Sequence, residues 1–591
     1  MNRAVAVVVL HESAMATARR IREHLPDARI HGRGDGADVV FESLGDHVRA
    51  LFRAGAPIVG LCAAGVLIRV LAPALGDKRR EPPVVAVADD GSAVVPLLGG
   101  HHGGNALARD MAAIFGVSAA ITTAGDARFG VALDEPPAGW RLANPDDAKP
   151  FVAALLGGAT VTLEGAAPWL TDSRLPFAAT GEVEIVVTDA AVAGSATRLV
   201  FHPGRLALGV GCARGVAAAE LADLVHGALN EAGLAPEAIA GVFSIDVKAD
   251  EAAIHDLAAA LDAPARFFDA ATLEAETPRL ANPSETVFRE VGSHGVAEAA
   301  ALAAGGPDAE LVVAKRKSAM ATCAVARAPG IIGADVGRPR GTLSVVGIGP
   351  GGAAWRTPEA EAAIAASGDL VGYRLYLDLL GGLAHGKTRH DYGLGEEQAR
   401  VRAALDLAAA GRRVALVCSG DAGIYALASL VYEERDHAQR ADWRRVEVRV
   451  VPGISAMQAA AARAGAPLGH DFCAISLSDL MTPWDAIERR LRAAADGDFV
   501  VALYNPASRR RQDQLIRARD ILLTARPADT PVVLARNLGR DGECIRTIAL
   551  AELTADMADM LTLVLVGAST TRVAADGAVY TPRGYAEKAA Q

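Results

Sequence analysis

Basic residues, aromatics and long apolar runs are all in short supply in this chain of 591 residues, and each shortage closes off a class of function. Lys and Arg number 59 against 70 Asp and Glu, a formal net charge of -11, and no segment forms a basic domain. Aromatics make up 4% of the chain. With neither a basic surface to displace counterions nor rings on which bases stack, a nucleic-acid partner is not expected. No stretch approaches the roughly 18 uninterrupted apolar residues of a membrane span, and the apolar run from Ala4 to Leu10 is too short for a signal core. A cytoplasmic protein without a membrane partner is the expectation. The six cysteines (Cys62, Cys212, Cys323, Cys418, Cys473, Cys544) include no C-x-x-C pair, and the fourteen histidines show no H-E-x-x-H spacing. Buried free thiols, and no protein-bound metal, are therefore expected.

The chain is too long for one core. At about 150 residues per domain it suggests about four units. With 51% apolar and 22% charged residues it is globular. Short β-branched runs alternate with alanine-rich stretches of helical character, the pattern of an α/β multidomain protein with mostly parallel sheets. Strands are predicted at Ala4–Leu10, Pro57–Leu61 and Val84–Ala88. Helices are predicted at Glu12–His24, Asp46–Ala54 and Asn105–Phe115, the last with Asn105 as its cap. Breaker-rich segments at Glu135–Asp147, Leu163–Ala179 and Ala326–Gly341 are candidate boundaries, the third being the best linker.

The most informative segment is Leu343–Gly351, a strand running into the loop Gly347-Ile348-Gly349-Pro350-Gly351. Gly347, Gly349 and Gly352 also satisfy G-x-G-x-x-G, with Asp369 about 20 residues on, so a dinucleotide site is the rival reading. Two features oppose it. Such a site needs its helix to begin at the glycines, whereas here the better helix start is Thr357 as cap with Pro358 in the first position and Glu359 in the first turn. Asp369 also precedes the next apolar segment instead of ending it. Four further signals follow: Ser419–Tyr425, Val451–Ala456, Tyr504-Asn505-Pro506 and Asn537–Glu543. In this order and spacing the five resemble the tetrapyrrole (precorrin) methyltransferases, which bind S-adenosylmethionine. Gly372–Tyr376, Leu477–Trp484 and Ala502–Pro506 narrow the likeness to the precorrin-3B C17-methyltransferases, which also contract the ring.

The resemblance implies a two-lobed α/β methyltransferase over 342–591 and a homodimer through it. Its cofactor would be held by Gly347, Gly349, Pro350, Gly351, Asp421, Ile424, Tyr425, Ser455, Ala456, Tyr504 and Asn505, with Ser478 on the substrate. The glycines let backbone approach the cofactor closely. Asp421 either binds ribose or faces the sulfonium, or it is a turn residue of its S-G-D loop; the functional role is the one favoured here. No base for ring contraction can be named.

The first half has its own cluster: Gly60–Arg69, then Asp77-Lys78, then Gly99-Gly100-His101-His102-Gly103-Gly104-Asn105, then Ile121-Thr122-Thr123-Ala124. Paired glycines opening onto a helix make a cradle suited to a carboxylate or an oxyanion. With Gly209–Cys212, Ser244–Lys248, Glu251, Gly292, Val296–Glu298, Lys315 and Thr322, these residues resemble the cobalt-precorrin-5A hydrolase family. Gly125 and His102 depart from that pattern. The family implies opening of a δ-lactone on the macrocycle, with His101 as general base, Lys78 or Arg69 clamping a carboxylate, Gly103 and Gly104 donating to the oxyanion and Thr123 on the substrate. A purely structural role for His101 stays open.

The expected organisation is thus 1–134 and 201–326 as α/β domains of the hydrolase family around a middle domain at 135–200, a linker at 327–341 and the methyltransferase at 342–591. The partners would be tetrapyrrole polycarboxylates, held by cations drawn from Lys78–Arg80, Lys315–Lys317 and Arg509–Arg511. Two alternatives remain: a first half that carries the macrocycle without acting on it, and a second half that methylates another target.

Overall fold

The computed structural model describes residues 5–25, 28–34, 36–76, 81–100, 103–122, 124–507 and 513–585. The chain forms two compact units, Met1–Gly341 with Ala409–Gly411 and Arg444–Glu447, and Thr342–Ala408 with Arg412–Trp443 and Val448–Gln591.

The first unit contains three sheets. The first has the order Val39–Val40, Arg29–Gly32, Ala6–Val9, Ile58–Leu61, Val84–Val87, Val94–Leu98, parallel except for the last strand. Its strands are near-continuous aliphatic runs because both faces are covered. Val7, Val9, Val59 and Val85 face the helices Met15–His24 and Gly104–Phe115, whereas Val8, Ile58 and Val84 face Leu44–Arg53 and Ala64–Leu71. Strand order reverses between Ala6–Val9 and Ile58–Leu61, and the segment from Cys62 leaves the sheet there. The helix predicted from Asn105 starts at Gly104, and its cap is Gly103 at φ 90°. That left-handed turn suits glycine, and Asn105 is instead buried in the first turn.

The second sheet runs Trp140–Leu142, Arg198–Pro203, Val183–Val187, Val161–Glu164. The boundary expected at Leu163–Ala179 falls inside this sheet: Val161–Glu164 pairs with Val183–Val187, and Leu170 and Leu175 between them fill the same core. The third sheet runs Ala265–Phe268, Ile239–Ile245, Leu206–Cys212, Ala321–Arg327, Glu310–Lys317. The helix Ala297–Gly305 lies so close to it that a Cβ on Gly209 would strike the Ala301 amide at 2.7 Å. Glu298, 1% exposed, accepts from both Asn282 nitrogens (2.9 and 2.8 Å) and from the Lys315 amide (2.9 Å). One buried carboxylate thus ties together two of the separated signals seen in the sequence, with Asn282 as a third partner, and the motif at Lys315 is used through its backbone.

Residues 328–338, expected as linker, instead lie along the first unit. Ala328 and Ile332 donate to Arg205 and Gly204, and Arg338 exchanges two 2.8 Å backbone hydrogen bonds with Phe267 on the sheet's edge strand. The open edge recruits the segment because its unpaired N–H and C=O groups need partners.

In the second unit, a sheet ordered Thr388–Tyr392, Asp369–Tyr373, Arg413–Cys418, Thr342–Gly347, Glu447–Val451 forms the first lobe. The second lobe has Phe472–Ser476, Val500–Tyr504, Thr562–Val566, Pro531–Arg536, Cys544–Ala549, with a small three-stranded sheet beside it. Thr357 caps the helix Pro358–Ala366 by accepting from the Ala360 amide, as its sequence predicts. Of the six cysteines, Cys62, Cys323 and Cys418 are buried, but Cys544 is exposed on an edge strand, contrary to expectation. Among the described residues no helix is long and apolar enough to cross a membrane.

In the first sheet, buried His31 sits with Nδ1 2.8 Å from Nε2 of His47, whose ring stacks on Phe41. Burial pushes the His31 imidazole down to about 3, helped by His47 and Arg29 and opposed by Asp38. The folded protein therefore holds His31 neutral. The stability this contributes is complete above the ordinary value of 6.5 and is lost as pH falls towards 3, at up to about 1.4 kcal/mol per pH unit. Amide exchange in Arg29–Gly32, corrected for intrinsic rates, should accelerate between pH 6.5 and 5, and His31→Gln should flatten that dependence. An unchanged slope in the variant would contradict this reading.

Candidate cofactor site

Five loops of the second unit leave the carboxyl ends of five strands. Three follow Arg413–Cys418, Thr342–Gly347 and Glu447–Val451, which are consecutive neighbours in the first-lobe sheet. Two follow Val500–Tyr504 and Pro531–Arg536, which flank the antiparallel strand Thr562–Val566. The start of that central strand therefore lies at the same end as the two loops.

The first-lobe loops cross at backbone contact. Gly349 (φ 77°) and Gly420 (φ 69°) exchange hydrogen bonds of 3.1 and 2.8 Å. A Cβ on Gly347 would lie 2.6 Å from the Gly420 carbonyl oxygen and 2.8 Å from the Gly453 amide nitrogen, and one on Gly351 would collide with the Gly539 carbonyl. These glycines are needed because chain passes chain, a demand that exists before any ligand arrives. Asp421 holds the crossing: one carboxylate oxygen accepts from the Gly423 amide (2.8 Å), the other from the Gly453 amide (3.0 Å). Ser455 caps the helix Ala456–Ala464 in a reciprocal box with Gln458.

Between the lobes of this unit lies a cavity of about 230 Å³. Pro350, Asp421, Ile424, Tyr425, Ser455, Ala456, Tyr504 and Asn505 line it, so eight of the eleven residues expected at the cofactor meet in one place. Gly347, Gly349 and Gly351 stand behind the wall. The Tyr425 and Tyr504 rings are 5.1 Å apart. The Tyr425 hydroxyl donates to the Ala474 carbonyl (2.9 Å), and the Tyr504 oxygen accepts from the Met457 amide (3.2 Å). Burial raises both phenols, which keeps them protonated. Tyr425 and Asn505 sit at φ 50° and 51°, the left-handed region, which aims both side chains from tight turns. Ser478 does not line the cavity. Its amide donates to Ser476 Oγ (3.3 Å), which also accepts from Asn505 Nδ2 (3.0 Å), and the loop beyond it exposes Leu480 and Met481.

Several lining residues were not anticipated. Tyr376, Ser419, Asn537, Leu538 and Arg540 belong to motifs already visible in the sequence, but no role had been attached to them. Met560–Leu563 had no local signal, and only the antiparallel register of their strand brings them here. Arg540 donates from Nε to the Pro350 carbonyl (2.8 Å) and from Nη2 to Ser419 Oγ (3.0 Å). It joins the first, second and fifth loops. Asp369, the acid of the dinucleotide reading, begins its strand, is 1% exposed, and is gripped by Arg412 (2.7 Å) and His390 (2.9 Å).

In the first unit, Lys78, His101 and Thr123 lie outside the described residues, as do the candidate cations Arg79, Arg80 and Arg509–Arg511. Arg69 is exposed, with Nη1 on the Gly65 carbonyl of its own helix (3.3 Å). The Gly103 amide donates to the Glu135 carboxylate and the Gly104 amide to the Gly99 carbonyl (2.8 Å). As the loop stands, both proposed oxyanion donors are engaged. Asp246 pairs with Arg338 (3.3 Å), and burial raises its carboxyl.

Residues 342–554 match the family model described as tetrapyrrole (corrin/porphyrin) methylases. Residues 206–326 and 46–126 match those for the cobalamin synthesis G C-terminus and N-terminal region. Over 250 residues the chain is 48% identical to the precorrin-3B C(17)-methyltransferase of Sinorhizobium sp, covering 42% of this chain and 98% of that protein. It is 47% identical over 243 residues to the probable cobalt-factor III C(17)-methyltransferase of Salmonella typhimurium, covering 41% and 99%. To the cobalamin biosynthesis protein CobIJ of Mycobacterium tuberculosis it is 46% identical over 254 residues, 42% of this chain but 49% of that protein, so the match spans about half of that relative. The chain belongs to the tetrapyrrole methylase family, in its C17-methyltransferase branch, and joins that enzyme domain to the two cobalamin synthesis G domains.

Proposed function

We propose that this chain is a bifunctional enzyme of corrin-ring assembly, cytoplasmic and dimeric through residues 342–591. Its second unit methylates C17 of precorrin-3B or the cobalt form, with ring contraction, and its first unit opens the lactone of cobalt-precorrin-5A. The observation that carries the first activity is the convergence of five motif loops on one cavity in a domain 48% identical to a C17-methyltransferase.

The cavity's chemistry suits S-adenosylmethionine. Apolar walls from Ile424, Ala456, Leu538, Leu561 and Leu563 meet polar groups of Ser419, Asn505 and Asn537. Among the described lining residues there is one cation, Arg540, and one anion, Asp421. A dinucleotide's pyrophosphate would need more positive charge or a helix start at the glycines, and the helix here begins at Pro358. When bound, the cofactor supplies an electrophilic methyl on sulfonium. The chain's own part is placement. Transfer to carbon requires in-line approach, and the Tyr425 and Tyr504 rings, both fixed by hydrogen bonds to backbone, form rigid walls for it. Asp421 braces the loops with one amide on each oxygen, and its remaining lone pairs, at the cavity wall, are left to accept from a ribose hydroxyl or to face the sulfonium.

Support for the hydrolase activity comes from the matching G domains. His101 is proposed as base and Lys78 as carboxylate clamp, Arg69 and Thr123 as substrate contacts, and Ser478 as a substrate contact of the methyltransferase. Gly103 and Gly104 would serve the oxyanion only if the loop released their present partners.

Anaerobic incubation of the full chain with S-adenosylmethionine and precorrin-3B should yield a product heavier by one methyl group; methylation of an unrelated target with none of this product would overturn the reading. Gly351→Ala, whose Cβ collides with the Gly539 carbonyl, should weaken S-adenosylhomocysteine binding by about tenfold or more. Gly352→Ala, where the nearest atom is 3.7 Å away, should stay within about twofold. Equal titration curves for the two variants would remove the crossing from the account. His101→Asn should abolish lactone opening while C17 methylation continues, because asparagine keeps a hydrogen bond but accepts no proton. Retained opening would make His101 structural.

A further inference from the structure

The cavity's charges are unevenly satisfied. Asp421 has both oxygens on backbone amides. Arg540 does not: of its five N–H donors, Nε serves the Pro350 carbonyl and Nη2 the Ser419 hydroxyl, and the others have no protein partner among the described residues. A guanidinium at a cavity wall with a vacant edge attracts an anion, and its planar fork matches a carboxylate in two-point contact. Tyr376 lines the same cavity and lies within electrostatic reach of Arg540, and among the described residues its hydroxyl makes no hydrogen bond. Burial raises that phenol, so it remains a neutral donor beside the cation. A second donor without a second charge favours a singly charged acceptor over a phosphate.

The position of Arg540 is set before any ligand arrives. The preceding Gly539 amide donates to Glu543 (2.6 Å), and Glu543 is held by Arg463 (2.8 Å), whose guanidinium covers the Trp355 ring at 4.6 Å. The loop is thus anchored on one side by Glu543 and on the other by Pro350 and Ser419. Little side-chain entropy remains to be lost on binding.

We propose that the vacant edge of Arg540, with the Tyr376 hydroxyl, is a carboxylate subsite of this cavity. This rests on the cofactor reading above and extends it to a named group. Two ligands of the reaction carry such a group: the amino-acid end of S-adenosylmethionine and the acid side chains of the macrocycle.

The test is calorimetric titration of the full chain and of Arg540→Gln, Arg540→Lys and Tyr376→Phe with S-adenosylhomocysteine and with 5′-methylthioadenosine, which lacks the amino-acid portion, together with KM for the tetrapyrrole. If the cofactor supplies the carboxylate, Arg540→Gln should lose about 10- to 100-fold in affinity for S-adenosylhomocysteine. It should keep its affinity for 5′-methylthioadenosine, and Arg540→Lys and Tyr376→Phe should fall between. If the macrocycle supplies it, both nucleosides should bind as before and KM for the tetrapyrrole should rise by a similar factor. Parallel loss of both nucleosides in Arg540→Gln would make the residue a structural staple and overturn the proposal, as would unchanged values throughout. Failure of the unsubstituted chain to bind either nucleoside would instead overturn the cofactor reading, and the subsite with it.

Discussion

The geometry of the second unit depends on one backbone crossing. Gly349 and Gly420 hydrogen-bond to each other where two parallel strands end, with the amide of Gly453 and the carbonyl of Gly539 pressed against Gly347 and Gly351. No side chain fits in that space. Loops that would otherwise splay over the sheet end are drawn into one bundle, and Asp421 closes it with two amide contacts. The cavity is what remains in front of the bundle once the second lobe supplies Tyr504, Asn505 and the start of Thr562–Val566.

A division of labour follows. The glycines that first suggest a cofactor loop serve contact of chain with chain, while the wall facing a ligand is made by residues one to four positions away, such as Pro350, Ile424 and Ala456. The same holds in the first unit, where Gly209 admits a helix and Glu298 gathers Asn282 and Lys315. Motifs of this kind mark where the chain must come close to itself, and sites form beside them because close packing leaves oriented backbone and little freedom.

Much of this was legible in the residues. Parallel strands announced themselves as unbroken aliphatic runs, and Thr357 with Pro358 marked the start of a helix that does begin there. Eight of the expected lining residues are at the cavity because each ends a strand or lies in the segment that follows one, all at the same end of their sheets. What could not be read depended on pairing across the fold. Met560–Leu563 reach the cavity through an antiparallel register, and the expected linker found an exposed edge at Phe267. Asp421 is at the cavity as expected, but a lone carboxylate after a glycine gives no hint that two amides from separate loops will also bind it. Asn105 lost the helix cap to Gly103 because the turn required a positive φ.

The central claim is that five loops, distant in sequence, act as a single binding element. Hydrogen exchange of the full chain with and without S-adenosylhomocysteine tests it directly. The account predicts that peptides covering 347–356, 419–425, 452–458, 502–506 and 537–543 gain protection together, with little change elsewhere in the second unit. Protection confined to one or two of these loops, or centred on a different part of the chain, would contradict it.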